Sequence, residues 1–401
     1  MPQTITSAEA RHVLARVQGL DPSQQKHGKE GAMAVLMRHQ CIQSDPIDVA
    51  GRNSDLTLQS RVVDYRREHL LDLLYKERRL FEYFCKMHSI MPVELYPIFR
   101  HKMDTFWREK RIRSFFRTHK REARAVLRAL EGGPVSSREL TDMGRMQYGW
   151  GHNARISNVI LTRLWVAGKA LIYNRDGTTK YYSLPEQVIP ERLLNATPPA
   201  KGEDLVEITK AIVSASRLVI AGGSPEQWYE VGKTETVRGL LQLLEKRGNL
   251  FSFQLEGSKE RFYAPLADLG EWENPGVPAD DYVRFLAPLD PLLWNRRVFR
   301  WVYGGEYSWE VYKKPRDRKY GYYCLPIMFN DQYVGLLDPF FRKKDGVLEV
   351  RNLHILDATI PRGRFLSALR AETNRFCDYL GAERTEVKNA PHWTTRALRP
   401  N

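Results

Sequence analysis

Between residues 118 and 184 the chain spells out a helix, a short helix, a longer helix and a two-stranded hairpin, and few folds accept that order in so short a span. Ala123, Val126, Leu127 and Leu130 recur at three- and four-residue spacing, which predicts a helix over 123–130. Gly132-Gly133-Pro134 stops it, and Ser136 opens a predicted short helix over 136–140. A longer helix is predicted over 153–167, carrying Ile156, Val159, Ile160, Leu164 and Trp165. Two alternating runs, 170–173 and 180–184, flank Asn174-Arg175-Asp176-Gly177, and Asp-Gly is a strong hairpin signal. This is the order of a winged helix-turn-helix, in which the third helix usually enters the major groove of DNA and the hairpin flanks it.

The same order returns after the linker Pro198-Pro199-Ala200-Lys201-Gly202: helices over 205–213 and 234–246, then strands over 250–255 and 260–264 around Gly257-Ser258. Only the element order supports this second copy. Before the two copies lies a region read as mostly helical, with helices expected from a cap at Ser7 to about Gly19, and over 29–37, 69–75, 80–85 and 92–99. One extended piece, 41–43, interrupts it. After Glu273-Asn274-Pro275-Gly276-Val277-Pro278 the character changes to strand-like runs at 306–312, 321–328, 332–337 and 347–356, which a small antiparallel barrel or a curled sheet would close. A last helix is predicted over 362–380, with Phe365, Leu366, Leu369 and Phe376 on one stripe, and a frayed tail over 396–401. The expected fold class is therefore α+β: tandem winged helix-turn-helix domains followed by a small C-terminal antiparallel β-barrel. The expected domains are 1–112, 113–197, 203–272 and 279–358, with 359–401 as terminal helix and tail.

With 62 Lys and Arg against 48 Asp and Glu, the net charge of +14 attracts polyanions. Nine of these cations crowd into 108–128, opposed by Glu109 and Glu122; a solvated helix face and a phosphate-contacting helix are equally good readings. No apolar run approaches the roughly 18 residues of a membrane span, and the first sixteen residues lack the apolar core of a signal peptide, so the protein is expected to stay where it is made. Cys41, Cys85, Cys324 and Cys377 are far apart, which suits free thiols in a reducing compartment better than a zinc clip. No metal and no cofactor are expected.

Three stretches carry a family resemblance. The C-terminal one reads Leu289-Asp290-Pro291-Leu292-Leu293-Trp294-Asn295-Arg296-Arg297 and continues through Tyr320-Gly321-Tyr322-Tyr323-Cys324-Leu325-Pro326 to Val334-Gly335-Leu336-Leu337-Asp338. The N-terminal one runs from Ile42-Gln43-Ser44-Asp45-Pro46 to Gly51-Arg52, and a third is Arg79-Leu80-Phe81-Glu82-Tyr83-Phe84 with Met91-Pro92-Val93-Glu94 shortly after. Together, over essentially the whole chain, they resemble the winged-helix alkylpurine DNA glycosylases, the YcaQ-like or AlkZ/AlkX group. The resemblance implies a bacterial, cytoplasmic base-excision-repair hydrolase, associated with the nucleoid through DNA. It implies helical and winged-helix domains around duplex DNA, acting as a monomer on alkylated purines. The family's catalytic motif is Gln, an aliphatic residue, then Gln or Asp. Here it falls on Gln43, Ser44 and Asp45, the Gln-x-Asp branch with Ser44 in place of the aliphatic residue. Branches of the family differ in whether they also unhook interstrand crosslinks.

The chemistry suits those residues. An N7-alkylated guanine is already cationic and leaves readily, so the enzyme must stabilise an oxocarbenium-like sugar and deliver water. A carboxylate can do both, which points to Asp45. Gln43 cannot act as a base, but its amide can fix the water, and residues i and i+2 of an extended segment point the same way. A bare Gln-x-Asp is equally a polar strand end followed by a pre-proline turn. No lysine need form a Schiff base, so the expected enzyme is monofunctional. Arg52, Asn53, Arg155, Asn158, Arg296 and Arg297 are candidate DNA contacts, each equally able to hold a local ion pair or hydrogen bond. Two other functions fit the fold: a winged-helix transcription regulator, which should prefer one operator over random DNA by roughly 10³-fold or more, and an inactive DNA-binding scaffold.

Overall fold

Thr6 and Glu9 start the first helix by a reciprocal cap: Thr6 Oγ1 accepts from Glu9 N (3.1 Å) and Glu9 Oε2 accepts from Thr6 N (2.8 Å). The cap is thus Thr6 and not Ser7, because only Thr6 has an acidic residue three positions on. The computed structural model describes residues 4–149, 151–277, 279 and 281–399. They form two compact units, one of the described residues within 4–70, 85–89 and 209–399, the other of those within 71–84 and 90–208.

In the larger unit the helix Ser7–Val17 buries Ala10, Val13, Leu14 and Val17. These pack with Phe251, Phe253 and Phe262 of the strands Leu250–Leu255 and Phe262–Pro265, and with Val298 and Val302 of the helix Arg296–Tyr303. Thr4–Ile5 adds a short parallel strand, Thr4 beside Gln254. Between helices Glu203–Ser216 and Thr234–Lys246 no described residue is helical, so the second copy has its outer helices and hairpin without a short middle helix.

The C-terminal sheet has five strands in sequence order: Val283–Phe285, Leu325–Phe329, Gln332–Arg342, Val347–Ile355 and Arg384–Val387. The first four are antiparallel, but the last is parallel to its neighbour, with Val347 beside Arg384. It follows the helix Arg362–Leu380, whose length is what a parallel crossover needs. Of the small antiparallel barrel or curled sheet expected, it is the curled open sheet that forms, with its last strand parallel. Leu325, Ile327 and Phe329 pack with Phe365, Leu369 and Phe376, while Met328 and Leu336 feed cores on the other side, so both faces are buried.

Three more expectations fail here. Residues 306–312 form a loop, held by side chains: Tyr307 Oη donates to Cys324 O (2.9 Å), and Glu310 accepts from Tyr320 N and Lys313 Nζ (both 2.8 Å). The tail does not fray at 396–399, because Ala397 and Leu398 are buried in the sheet's core; Pro400 and Asn401 lie outside the described residues. Leu80–Cys85 is a strand, not a helix. Its aromatic residues favour a pleated surface, and no solvent-facing stripe marks a helix there.

In the smaller unit the helix Lys120–Glu131, the helix Ile156–Val166 and the hairpin Leu171–Asp176/Thr179–Ser183 stand as expected. The short helix over 136–140 is missing. Glu139 Oε2 accepts from Ser136 N (2.8 Å), closing a single turn, and one turn does not offset the cost of helix nucleation. A hairpin, Arg145–Tyr148 with His152–Arg155, leads instead into the helix Ile156–Val166. Glu82 is buried under Arg175, whose Nη2 donates to Oε2 at 2.6 Å, and Tyr75 Oη donates to Glu82 Oε1 (2.7 Å).

Candidate active site

Ile42–Gln43 is a two-residue strand, prolonged by Ser44 N donating to His88 O (2.8 Å). Asp45-Pro46 then turns the chain, with Asp45 Oδ1 accepting from Ile47 N at 2.9 Å. The turn is anchored from three sides. Asn53, the first residue of the fully buried helix Asn53–Gln59, donates from Nδ2 to Gln43 O (2.8 Å) and accepts on Oδ1 from Leu289 N (2.8 Å). Leu289 O in turn accepts from Trp294 Nε1 (2.9 Å), and Asp290 is clamped by the buried Arg61. From the sheet, Asp338 Oδ1 accepts from Tyr323 N (3.0 Å), and Tyr323 Oη donates weakly to Ile47 O (3.5 Å) and Gly51 O (3.4 Å). Residues 42–53, 289–294 and 323–338 are far apart in sequence and meet at this turn.

Gln43 is buried, and its Oε1 accepts from Lys86 Nζ at 2.6 Å. An ammonium only donates, so this contact identifies which end of the amide is the oxygen. Among the described residues no acceptor takes Gln43 Nε2 and no donor reaches Asp45 Oδ2. The pair therefore offers one N–H donor end and one carboxylate oxygen. The Gln43 amide was expected to fix a water; its oxygen is engaged by Lys86.

Lys86 itself is buried, with Nζ 5.5 Å from the Trp294 ring centre. Burial lowers its pKa to about 8, against the pull of Glu226 and Cys41, while Arg296 adds to the lowering. Burial raises the Asp45 carboxyl, opposed by the Ile47 N–H and by His88. The exposed Tyr312 and the buried Tyr323 are raised by burial and then by the Asp45 charge, which places both rings in that carboxylate's field. If Asp45 must be ionised to act, the acid limb of kcat/KM should lie above the usual aspartate value of about 3.9. A single-turnover pH series checks this, and a limb at or below that value would rule Asp45 out as its source.

The other candidates scatter. Arg52 occupies the N-cap position of the helix Asn53–Gln59 without a capping bond from its side chain, and its Nε lies 3.7 Å from Asp48 Oδ2. Asn53 was expected to contact DNA, but it is 1 % exposed and both ends of its amide are used inside the protein, so it holds the motif and does not face a ligand. Arg296 and Arg297 are exposed at the start of the helix Arg296–Tyr303, and Arg297 pairs with Glu260. In the smaller unit, Arg155 ends the strand His152–Arg155 and is not in the helix as expected, while Asn158 is helical. Both line a cavity of about 730 Å³ together with Arg138, Arg145 and Lys180. No group of three or more His, Cys, Asp or Glu among the described residues could hold a metal, and no described helix is long and apolar enough to cross a membrane.

A family model described as DNA glycosylase AlkZ-like matches residues 36–379, most of the chain and all three stretches around the turn. The chain belongs to the AlkZ-like DNA glycosylase family. It is thus a DNA-repair enzyme whose substrate is DNA. The solved structure of Streptomyces sahachiroi DNA glycosylase AlkZ shares its fold, with a TM-score of 0.63 at 15 % identity, covering 96 % of this chain and 100 % of that one. Lys86 and the buried role of Asn53 were missed in the sequence. Nothing in the spacing of 43 and 86 links them, and nothing local marks Asn53 as a tie, because its amide partners are ten and more than two hundred residues away.

Proposed function

We propose that this AlkZ-like glycosylase hydrolyses the N-glycosidic bond of N7-alkylated purines in duplex DNA, with Asp45 as the catalytic carboxylate and Gln43 as the residue that positions water. The observation that carries the reading is the pair of unused polar ends, Asp45 Oδ2 and Gln43 Nε2, on a turn that three separate segments hold in place. The bond between the sugar C1′ and the purine nitrogen breaks, and its electron pair leaves with the base, neutralising the alkylated ring. Asp45 stabilises the developing sugar cation and takes a proton from water as the water oxygen bonds to C1′. Gln43 Nε2 donates to that water's oxygen. The product is an abasic site and an uncut strand. Asp45 is only half-buried and its charge reaches the exposed Tyr312, an open setting that suits a bulky lesion, including an interstrand crosslink that cannot be flipped out whole.

The test is release of base from a duplex holding one N7-methylguanine, and separately from one holding an N7-guanine crosslink, with alkali revealing abasic sites. Tight binding without release from either substrate would retire the proposed specificity. On the DNA-binding side, Arg52, Arg155, Asn158, Arg296 and Arg297 are proposed contacts. If Arg155 neutralises one phosphate, Arg155→Ala should reduce the slope of log K against log salt by about 0.9 on undamaged duplex. An unchanged slope in a salt titration would remove Arg155 from the interface.

A further inference from the structure

Gln43 can help only if the correct end of its amide faces the water, and the two ends are nearly identical in shape. A glutamine with solvent on both sides would present either. Here the backbone on one side is tied by Asn53 Nδ2 to Gln43 O (2.8 Å), and the side chain ends on Lys86 Nζ (2.6 Å). Lys86 arrives from the other side of the turn, one residue after Cys85 and two before His88, whose carbonyl pairs with Ser44 N. The ammonium has a cation–π neighbour in Trp294 and is faced by Glu226 and Cys41, which favour its charge, and by Arg296, which opposes it. Such a buried cation has a steep cost, and the hydrogen bond to Gln43 offsets part of it.

We propose that Lys86 is a positioning residue for the glycosylase reaction: its ammonium locks the Gln43 carbonyl oxygen inward and so leaves the Gln43 Nε2 donor as the end that meets water. This rests on the reading of Gln43 as catalytic. Lys86 does not touch the substrate and forms no covalent intermediate. Once it loses its proton, the amine gains a lone pair and can accept from the amide as well as donate to it. The discrimination between the two amide orientations then disappears.

The decisive experiment is a double-mutant cycle in single-turnover release of N7-methylguanine, using Lys86→Met, Gln43→Ala and both together. Lys86→Met keeps the buried aliphatic stem and removes the donor. It should slow release roughly 10- to 100-fold with duplex affinity unchanged, and add nothing in the Gln43→Ala background. Lys86→Arg, which keeps a donor, should recover part of the rate, and serves as the readout if the Met variant is poorly folded. The wild-type rate should also decline as pH rises through about 8, a decline missing from Gln43→Ala. Equal slowing in both backgrounds, or no slowing by either Lys86 variant, overturns the proposal. So does a borohydride-trapped covalent complex that depends on Lys86, since that would make the lysine a nucleophile. Should Gln43→Ala leave the rate unchanged, the reading of Gln43 itself falls, a result distinguishable from all of these.

Discussion

Asp45→Asn is expected to slow release of N7-methylguanine from duplex DNA by roughly 10²–10⁴-fold, the usual weight of a general base, while affinity for undamaged duplex stays within a factor of about two. The substitution keeps the size and shape of the side chain. Its carbonyl oxygen can still accept from Ile47 N, the contact that Asp45 Oδ1 makes at 2.9 Å, so the turn should survive. What is lost is the negative charge and the ability to take a proton. The amide nitrogen that replaces one oxygen is a donor and would repel a water's hydrogens. Parallel measurements of single-turnover release and of duplex binding separate the two effects. A loss of less than about tenfold would mean that Asp45 only shapes the turn, and a parallel loss of binding would mean that its role is in holding DNA.

Asp290→Ala is expected to cost about 3–5 kcal/mol of folding stability, the price of leaving one half of a buried ion pair uncompensated. Arg61 and Asp290 are both fully buried, joined by Nη1 to Oδ2 at 2.7 Å and Nη2 to Oδ1 at 2.8 Å. The guanidinium also donates to Gln18 O (2.9 Å), Gln18 Oε1 (2.9 Å), Thr57 O (3.1 Å) and Ser60 Oγ (2.9 Å). Those neutral partners cannot balance its charge once the carboxylate is gone. Asp290 Oδ1 further caps the turn Pro291–Leu293 through Leu292 N (3.0 Å). The midpoint of thermal unfolding should fall by on the order of 10 °C. Arg61→Met combined with Asp290→Leu should recover most of the loss, because two apolar side chains need no charge partner. A single Asp290→Ala cost below about 1 kcal/mol would show that water reaches the pair. Since Leu289 bonds to Asn53, which ties the proposed catalytic turn, and Trp294 bonds to Leu289, the single variant should also lose base release at temperatures where it remains folded.

How much of this was legible follows from the range of the interactions involved. The helix Arg362–Leu380 was readable to the residue because its apolar stripe is long and periodic, and the strand Val347–Ile355 nearly so. Gln43 and Asp45 were picked out as candidates by the family resemblance, and the chemistry that a cationic leaving base demands agreed with it. The run 80–85 was misread because six residues, almost all buried, carry no period that separates strand from helix. The loop 306–312 has strand-forming aromatics, but Tyr307 and Glu310 hold it through side chains, and propensity does not register such contacts.

The sequence by itself determined the family, the polyanion-attracting charge, the outer helices and hairpins of the winged-helix-like segments, and the two polar residues of the motif. The charge is compositional, the family is carried by three short stretches taken together, and the rest are local, each contained within a window of a few residues to a few turns. Only the tertiary structure decided that Asn53 is a buried tie and not a DNA contact, that Arg61 belongs to Asp290, that the last strand Arg384–Val387 joins the sheet in parallel, and that Lys86 meets Gln43. Each of these depends on groups separated by ten to more than two hundred residues, brought within hydrogen-bond distance by the packing of cores that no local pattern encodes.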